Sequence, residues 1–191
     1  MYDNNKVVIN DLNEISSIPI DKLTRLQHLT FDYWFNQPLS NSFDKLSSLQ
    51  HLTFGSKFNQ PLFNSLDKLT SLQYLTFGWE FNQLLTNSLD ELTSLQYLTF
   101  GCNFNKPLTN SLVKLSLSQH LTLGYRFNQP LDLPSNIKYL VLNCNNQSII
   151  DNLHNNINAC EIRKVYMIVI SLTIILRNDL FLFKQIFCKF Y

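Results

Sequence analysis

Six side chains with polar-tipped rings recur at matched places along this sequence: His28, His51, Tyr74, Tyr97, His120 and Tyr139. Imidazole can ligate a metal or take up a proton near neutral pH, and both ring types can grip a partner through an apolar body and a polar tip. A metal centre does not follow. Only His28 and His51 are neighbours in this series, and no carboxylate shares their position. The cysteines, Cys102, Cys144, Cys160 and Cys188, are far apart and form no CxxC pair, so they read as free thiols of a reducing compartment. There is no GxxxxGK[ST], GxSxG or HExxH, and the recurring Asp44, Asp67 and Asp90 occupy one repeated surface position. No nucleophile with its base can be assembled, so the chain reads as a non-enzyme without a cofactor.

What positions the rings is a repeat. Lines of 23 residues starting at Leu26 give LQHLTFDYWFNQPLSNSFDKLSS, LQHLTFGSKFNQPLFNSLDKLTS, LQYLTFGWEFNQLLTNSLDELTS and LQYLTFGCNFNKPLTNSLVKLSL. A shortened unit starts at Ser118 and another at Ile137. Self-similarity at this period is the mark of a solenoid. Apolar residues at the first, fourth and sixth positions, such as Leu72, Leu75 and Phe77, predict a strand that sends Leu75 and Phe77 inward and Tyr74 and Thr76 outward. The expected fold is a leucine-rich-repeat-like solenoid with a parallel β-sheet on its concave side and loops and short helical or 3₁₀ turns on its convex side.

Gly55, Gly78, Gly101 and Gly124 all follow the strand directly, with Asp32 and Asn143 at the same position elsewhere. These residue types tolerate a left-handed backbone, which predicts a positive-φ turn after every strand. Next come the FN pairs, Phe35-Asn36, Phe58-Asn59, Phe81-Asn82, Phe104-Asn105 and Phe127-Asn128. The phenylalanines are expected to stack through the interior, and the asparagines to satisfy backbone groups left unpaired at the bend. Pro38, Pro61, Pro107 and Pro130 keep the following stretch extended, and Leu89 and Leu92, three apart, suit one turn of helix or 3₁₀ on the return.

Two surfaces could bind a partner. One is the outward face of the strands, where the six rings run beside a stripe of Thr30, Thr53, Thr76, Thr99, Thr122 and Val141; the competing reading is that the rings only support one another. The other is the variable pair before each FN, carrying Trp34, Trp79 and Tyr125, where unconstrained drift is the competing reading.

The chain has 191 residues, 45% of them hydrophobic, and a net charge of +1. That is enough for one sizeable core, and the near-neutral charge removes the electrostatic case for nucleic acid. The divisions expected are an N-terminal cap and partial repeat over 1–25, repeats over 26–158, and an apolar capping segment over 159–191. In the last, the uncharged run Val165 to Leu176 falls short of a membrane span. Membrane tethering and sequence decay are the alternatives there. The N-terminus lacks the pattern of a signal peptide, so an intracellular and not a secreted protein is expected.

FNQPL followed by an LxxLTFG strand resembles the FNIP repeat family, across roughly residues 20 to 145. That family is grouped with leucine-rich repeats and is known chiefly from social amoebae and from giant DNA viruses of amoebae. The resemblance implies a protein-protein interaction module, in a viral setting one acting in the host cytoplasm, possessing an unidentified, host-derived protein partner. Some viral members carry an F-box that links bound targets to a ubiquitin ligase. Only about 25 residues precede the first full repeat here, fewer than a helical F-box of about 40 needs. The alternatives are a ligase substrate-recognition subunit lacking that domain, and a degenerate paralogue. The second draws on the Leu117-Ser118 inversion, which puts serine at a strand's opening core position.

Overall fold

A computed structural model describes residues 5–39, 42–131 and 133–143, together with the backbone of 164–167. Eight strands form one sheet in sequence order, every pairing parallel. They are β1 Lys6–Ile9, β2 His28–Phe31, β3 His51–Thr53, β4 Tyr74–Thr76, β5 Tyr97–Thr99, β6 His120–Leu123, β7 Tyr139–Leu142 and β8 Lys164–Met167. Each coil of the repeat supplies one short strand. The register is strictly unit on unit, His51 opposite Tyr74 and Leu52 opposite Leu75, so like positions form columns through the stack. The architecture is the parallel-strand, leucine-rich-repeat-like solenoid that the spacing predicts.

Strand alternation builds the interior. Leu29, Leu52, Leu75, Leu98, Leu121 and Leu140 are buried, while the residues on either side of them are only half-buried. Behind this leucine column stand two columns of phenylalanine. The strand rings Phe31, Phe54, Phe77 and Phe100 stack at 5.2 to 5.4 Å. The rings of the FN pairs stack from Phe35 to Phe127 at 5.9 to 6.1 Å. Within a coil the two rings meet at about 4 Å, as Phe77 and Phe81 do at 4.0 Å. Burial of side chains this size contributes roughly 1.5 to 3 kcal/mol each, and the columns repeat that gain in every coil.

The glycines stand there for a different reason from the one the sequence suggests. None of them has a positive φ. Their position is instead where adjacent coils nearly touch: a Cβ added at Gly78 would lie 2.1 Å from the carbonyl oxygen of Gly55, and one at Gly101 2.0 Å from that of Gly78. Asp32 and Asn143 escape the constraint because the ladder behind them runs one pair further, to Ile9 opposite Phe31 and Leu123 opposite Leu142. Their own N–H groups bond back to Ile9 and Leu123 at 2.9 Å, which continues the ladder past the strand end. Glycine follows the registers that stop after three pairs. The left-handed backbone occurs on the return arcs, at Asn87 (φ 59°) and Asn110 (φ 65°), and one position earlier in its coil at Phe63 (φ 43°).

The return arcs are also tighter than a helix. Leu69 N–H donates to the Leu66 carbonyl at 2.9 Å and Leu72 N–H to the Leu69 carbonyl at 3.0 Å, successive turns that bury a leucine at each corner without joining into a helix. Among the described residues, helix is confined to α1 Leu12–Ser17 and α2 Ile20–Leu23 in the first coil. Asp11 caps α1 by accepting from Asn13 N–H at 2.7 Å, and Pro19 precedes α2, where its missing donor is no loss. These helices bring Ile15 and Leu23 onto the end of the core.

The inverted Leu117-Ser118 pair is accommodated, with Ser118 buried and Leu117 turned out to 51% exposure. Two strands extend the sheet beyond the six expected. The signal for β1 was the KVVI run, whose Val7 and Ile9 fall opposite Leu29 and Phe31. Apart from the backbone of β8, the capping segment over 159–191 lies outside the described residues, as do Cys144, Cys160 and Cys188.

Candidate functional site

The asparagines of the FN pairs form a ladder that runs between coils. Asn59 N–H donates to Asn36 Oδ1, Asn82 N–H to Asn59 Oδ1 and Asn105 N–H to Asn82 Oδ1, each at 2.9 Å, and Asn128 N–H to Asn105 Oδ1 at 2.8 Å. The bend after each strand leaves that N–H without a partner in its own coil, and the side chain of the coil before supplies one. The glutamine that follows reaches the same rung: Gln83 Nε2 donates to Asn59 Oδ1 at 3.0 Å and to the Asn59 carbonyl at 2.9 Å. In the first full repeat Gln37 donates instead to Asp11 Oδ2 at 2.9 Å and accepts from Leu12 N–H, tying the helical coil to the repeats. The bond from the Asn13 backbone N–H first, and that from Gln37 second, hold the carboxyl of Asp11 below its ordinary range. The recurrence of Gln37, Gln60, Gln83 and Gln129 in FNQ was the available signal for this second set of rungs.

Asn59→Ala is expected to lower stability by about 1–3 kcal/mol, because it orphans the N–H of Asn82 and leaves Gln83 only the backbone carbonyl of residue 59 as acceptor. Asn59→Asp keeps the acceptor oxygen and should fall much closer to the parent. Urea midpoints at unchanged slope would show the difference.

The six rings of the strand face form one continuous column. Their centroids are 4.1 Å apart for His28 and His51, 4.2 Å for His51 and Tyr74, 4.4 Å for Tyr74 and Tyr97, 4.1 Å for Tyr97 and His120, and 4.3 Å for His120 and Tyr139. Their planes lie within 16° of parallel. Each ring face is therefore covered by the next, leaving edges for a partner. Burial depresses the basicity of His51 and His120, and His28 beside it adds to the effect at His51. Among the described residues no group of three or more His, Cys, Asp or Glu is placed to hold a metal ion.

At the rim the variable pairs are less free than their sequences suggest. Lys57 N–H donates to the Tyr33 carbonyl, Glu80 to Ser56, Asn103 to Trp79 and Arg126 to Cys102, all at 2.9 Å, so the backbone is locked coil to coil while the side chains project. Trp34 is 72% exposed, Trp79 59% and Tyr125 56%. Lys57 is ion-paired with Glu80, which raises its basicity, and lies 5.7 Å from the centre of the Trp34 ring. Tyr33 packs edge-on against Trp34 at 4.8 Å. The rim thus presents large aromatic surfaces on a fixed backbone.

Coils of one strand and one return arc, stacked in parallel around leucine columns, define a leucine-rich-repeat-like solenoid. Solved structures share it, among them these two. The circular leucine-rich-repeat protein CroV588 is 30% identical with a TM-score of 0.57, over 69% of this chain and 19% of CroV588. An internalin, InlF, of Listeria monocytogenes is 16% identical with a TM-score of 0.53, over 82% of this chain and 48% of the internalin. The chain thus spans less than half the length of either. No protein-family model and no curated protein sequence matches it. Among the described residues no helix is long and apolar enough to cross a membrane.

Proposed function

We propose that this chain is a protein-interaction module of the FNIP repeat type and that it binds its partner through the rim. The observation that carries this reading is the contrast between the two aromatic sets. The rings of the strand face are stacked on one another, whereas Trp34, Trp79 and Tyr125 keep most of their surface open. Tryptophan and tyrosine dominate interface energetics when their faces can be buried in a partner. A backbone already locked between coils loses little freedom on binding. The leucine-rich-repeat fold shared with CroV588 and the internalin is consistent with an interaction scaffold.

The test is capture from host-cell extract by the intact chain and by two variants of verified fold. One carries Trp34→Ala, Trp79→Ala and Tyr125→Ala; the other carries Tyr74→Ala, Tyr97→Ala and His120→Ala. Loss of a captured protein by at least about tenfold in the rim variant alone is the expected result, the effect of one or more hot-spot residues. Loss in the strand-face variant alone would move the site to the ring column.

A further inference from the structure

We propose that the ring column is an acid-sensitive latch: protonation of His51 against the stacked His28 opens the N-terminal coils of the solenoid while the coils of β4 and β5 stay closed. The geometry concentrates positive charge at one end. Lys6 on β1 lies directly opposite His28, and His28 lies directly opposite His51. The two imidazoles stack at 4.1 Å, so both cannot become cations without bringing like charges into ring contact beside a lysine.

Among the described residues nothing on the strand face offsets that charge. The element packed against His51 on the other side presents Tyr74, and the residues before the strands are Gln27, Gln50 and Gln73. The fifth positions are Thr30, Thr53 and Thr76, and the residues beneath are the buried Leu29 and Leu52. In the adjoining turns, the Asp32 carboxylate accepts from the N–H groups of Trp34 and Phe35 at 2.9 and 3.0 Å, and Glu80 is paired with Lys57. His120, by contrast, stacks between Tyr97 and Tyr139, with Arg126 in the turn after it and Lys138 before β7 as the nearby charges in sequence. Burial lowers its basicity as it does that of His51, but it has no imidazole neighbour to repel.

The sign follows from the direction in which the folded histidine is shifted. His51 binds its proton less readily folded than unfolded, by burial first and by His28 second. An unfolded imidazole takes up its proton from about pH 6.5 downward. The stabilisation from keeping His51 neutral is therefore complete above that pH, and it is lost as the pH falls through the unfolded value toward the lower folded one. In a stack where each coil contacts only its neighbours, the loss is felt first in the coils that carry the charge.

Tyrosine occupies the same position at Tyr74, Tyr97 and Tyr139, so His28→Tyr with His51→Tyr keeps the column and removes its titration. The experiment is amide hydrogen exchange on the full chain at pH 7.5 and 5.5, corrected for the intrinsic pH dependence of exchange. At the lower pH, exchange over β1 to β3 is expected to accelerate on the order of tenfold relative to β4 and β5, whose rings are tyrosines. The double tyrosine variant should lose that difference, and His120→Tyr should retain it. Equal acceleration across all strands would overturn the proposal, as would its persistence in the double variant. Should the double variant not fold, His51→Tyr alone separates the stacked imidazoles, and an unchanged N-terminal response there would overturn it equally.

Discussion

Gly78→Ala is expected to cost at least about 4 kcal/mol, a range reserved for changes the fold cannot absorb. The methyl carbon would lie 2.1 Å from the Gly55 carbonyl oxygen, 2.5 Å from its carbon and 2.8 Å from the Ser56 Cα. All three atoms are backbone. A flexible side chain could swing away, but here one coil must part from the next, and that breaks the Glu80 to Ser56 bond and disturbs the stacking of Phe54 on Phe77. Valine at this position would be worse still. The control is Asn143→Ala, at the same place in the repeat but behind a ladder one pair longer, where a Cβ is already present. It should stay within about 1 kcal/mol of the parent, since it forfeits little beyond a side-chain oxygen with no bonding partner. Urea unfolding of the two variants decides the matter: similar midpoints would mean that the coils can separate after the strand at small cost.

Phe81→Ala should cost about 3–5 kcal/mol. Phe81 is fully buried, and its ring meets Phe77 at 4.0 Å, Phe58 at 6.0 Å and Phe104 at 6.1 Å, so truncation exposes a void to both columns and to the coils on either side. The locked rim above it, through Glu80 N–H and Asn82 N–H, limits collapse into that void. Phe100→Leu offers the contrast. The strand column already passes to Leu123 and Leu142 beyond Phe100, so leucine there extends an arrangement the protein uses and should cost under about 1.5 kcal/mol. Thermal unfolding of both variants would rank them, and a Phe81→Ala loss no larger than that of Phe100→Leu would mean that the interior repacks freely.

The fold was legible because its determinants are periodic. Leu75 and Phe77 alternate with Tyr74 and Thr76 in one coil and do so again 23 residues away, and a register of like on like follows. The glycines were legible as necessary but misread in cause. Gly78 recurs after a strand whether it serves a left-handed turn or a close approach, and a single chain cannot tell the two apart until the neighbouring coil is placed against it. The return arc was legible in the same way: Leu89 and Leu92 at a spacing of three predict one helical or 3₁₀ turn, and Leu92 N–H does donate to the Leu89 carbonyl at 3.1 Å, although successive turns do not join into a helix.

The candidate site was legible only as a set of residues. That His51 and Tyr74 lie on one stripe follows from the repeat; that their rings meet face to face at 4.2 Å depends on shared rotamers, which spacing does not encode. At the rim, the exchange of side chains from Tyr33 to Ser56 to Trp79 concealed a backbone whose bonding never varies.

Because coil after coil offers its neighbour the same amide acceptor, the same rings and the same bare glycine, the joint between any two interior coils is interchangeable with the next. A duplication or excision of one whole unit within a gene would rejoin matching surfaces and leave the asparagine ladder and the ring columns formed. Length in such a molecule is thus a quantity that heredity can adjust a coil at a time, while a slip of a single residue meets the full resistance of the stack. The limits on that freedom lie at Asp32 and Asn143, where the ladder runs one pair further and the succession of equivalent joints ends.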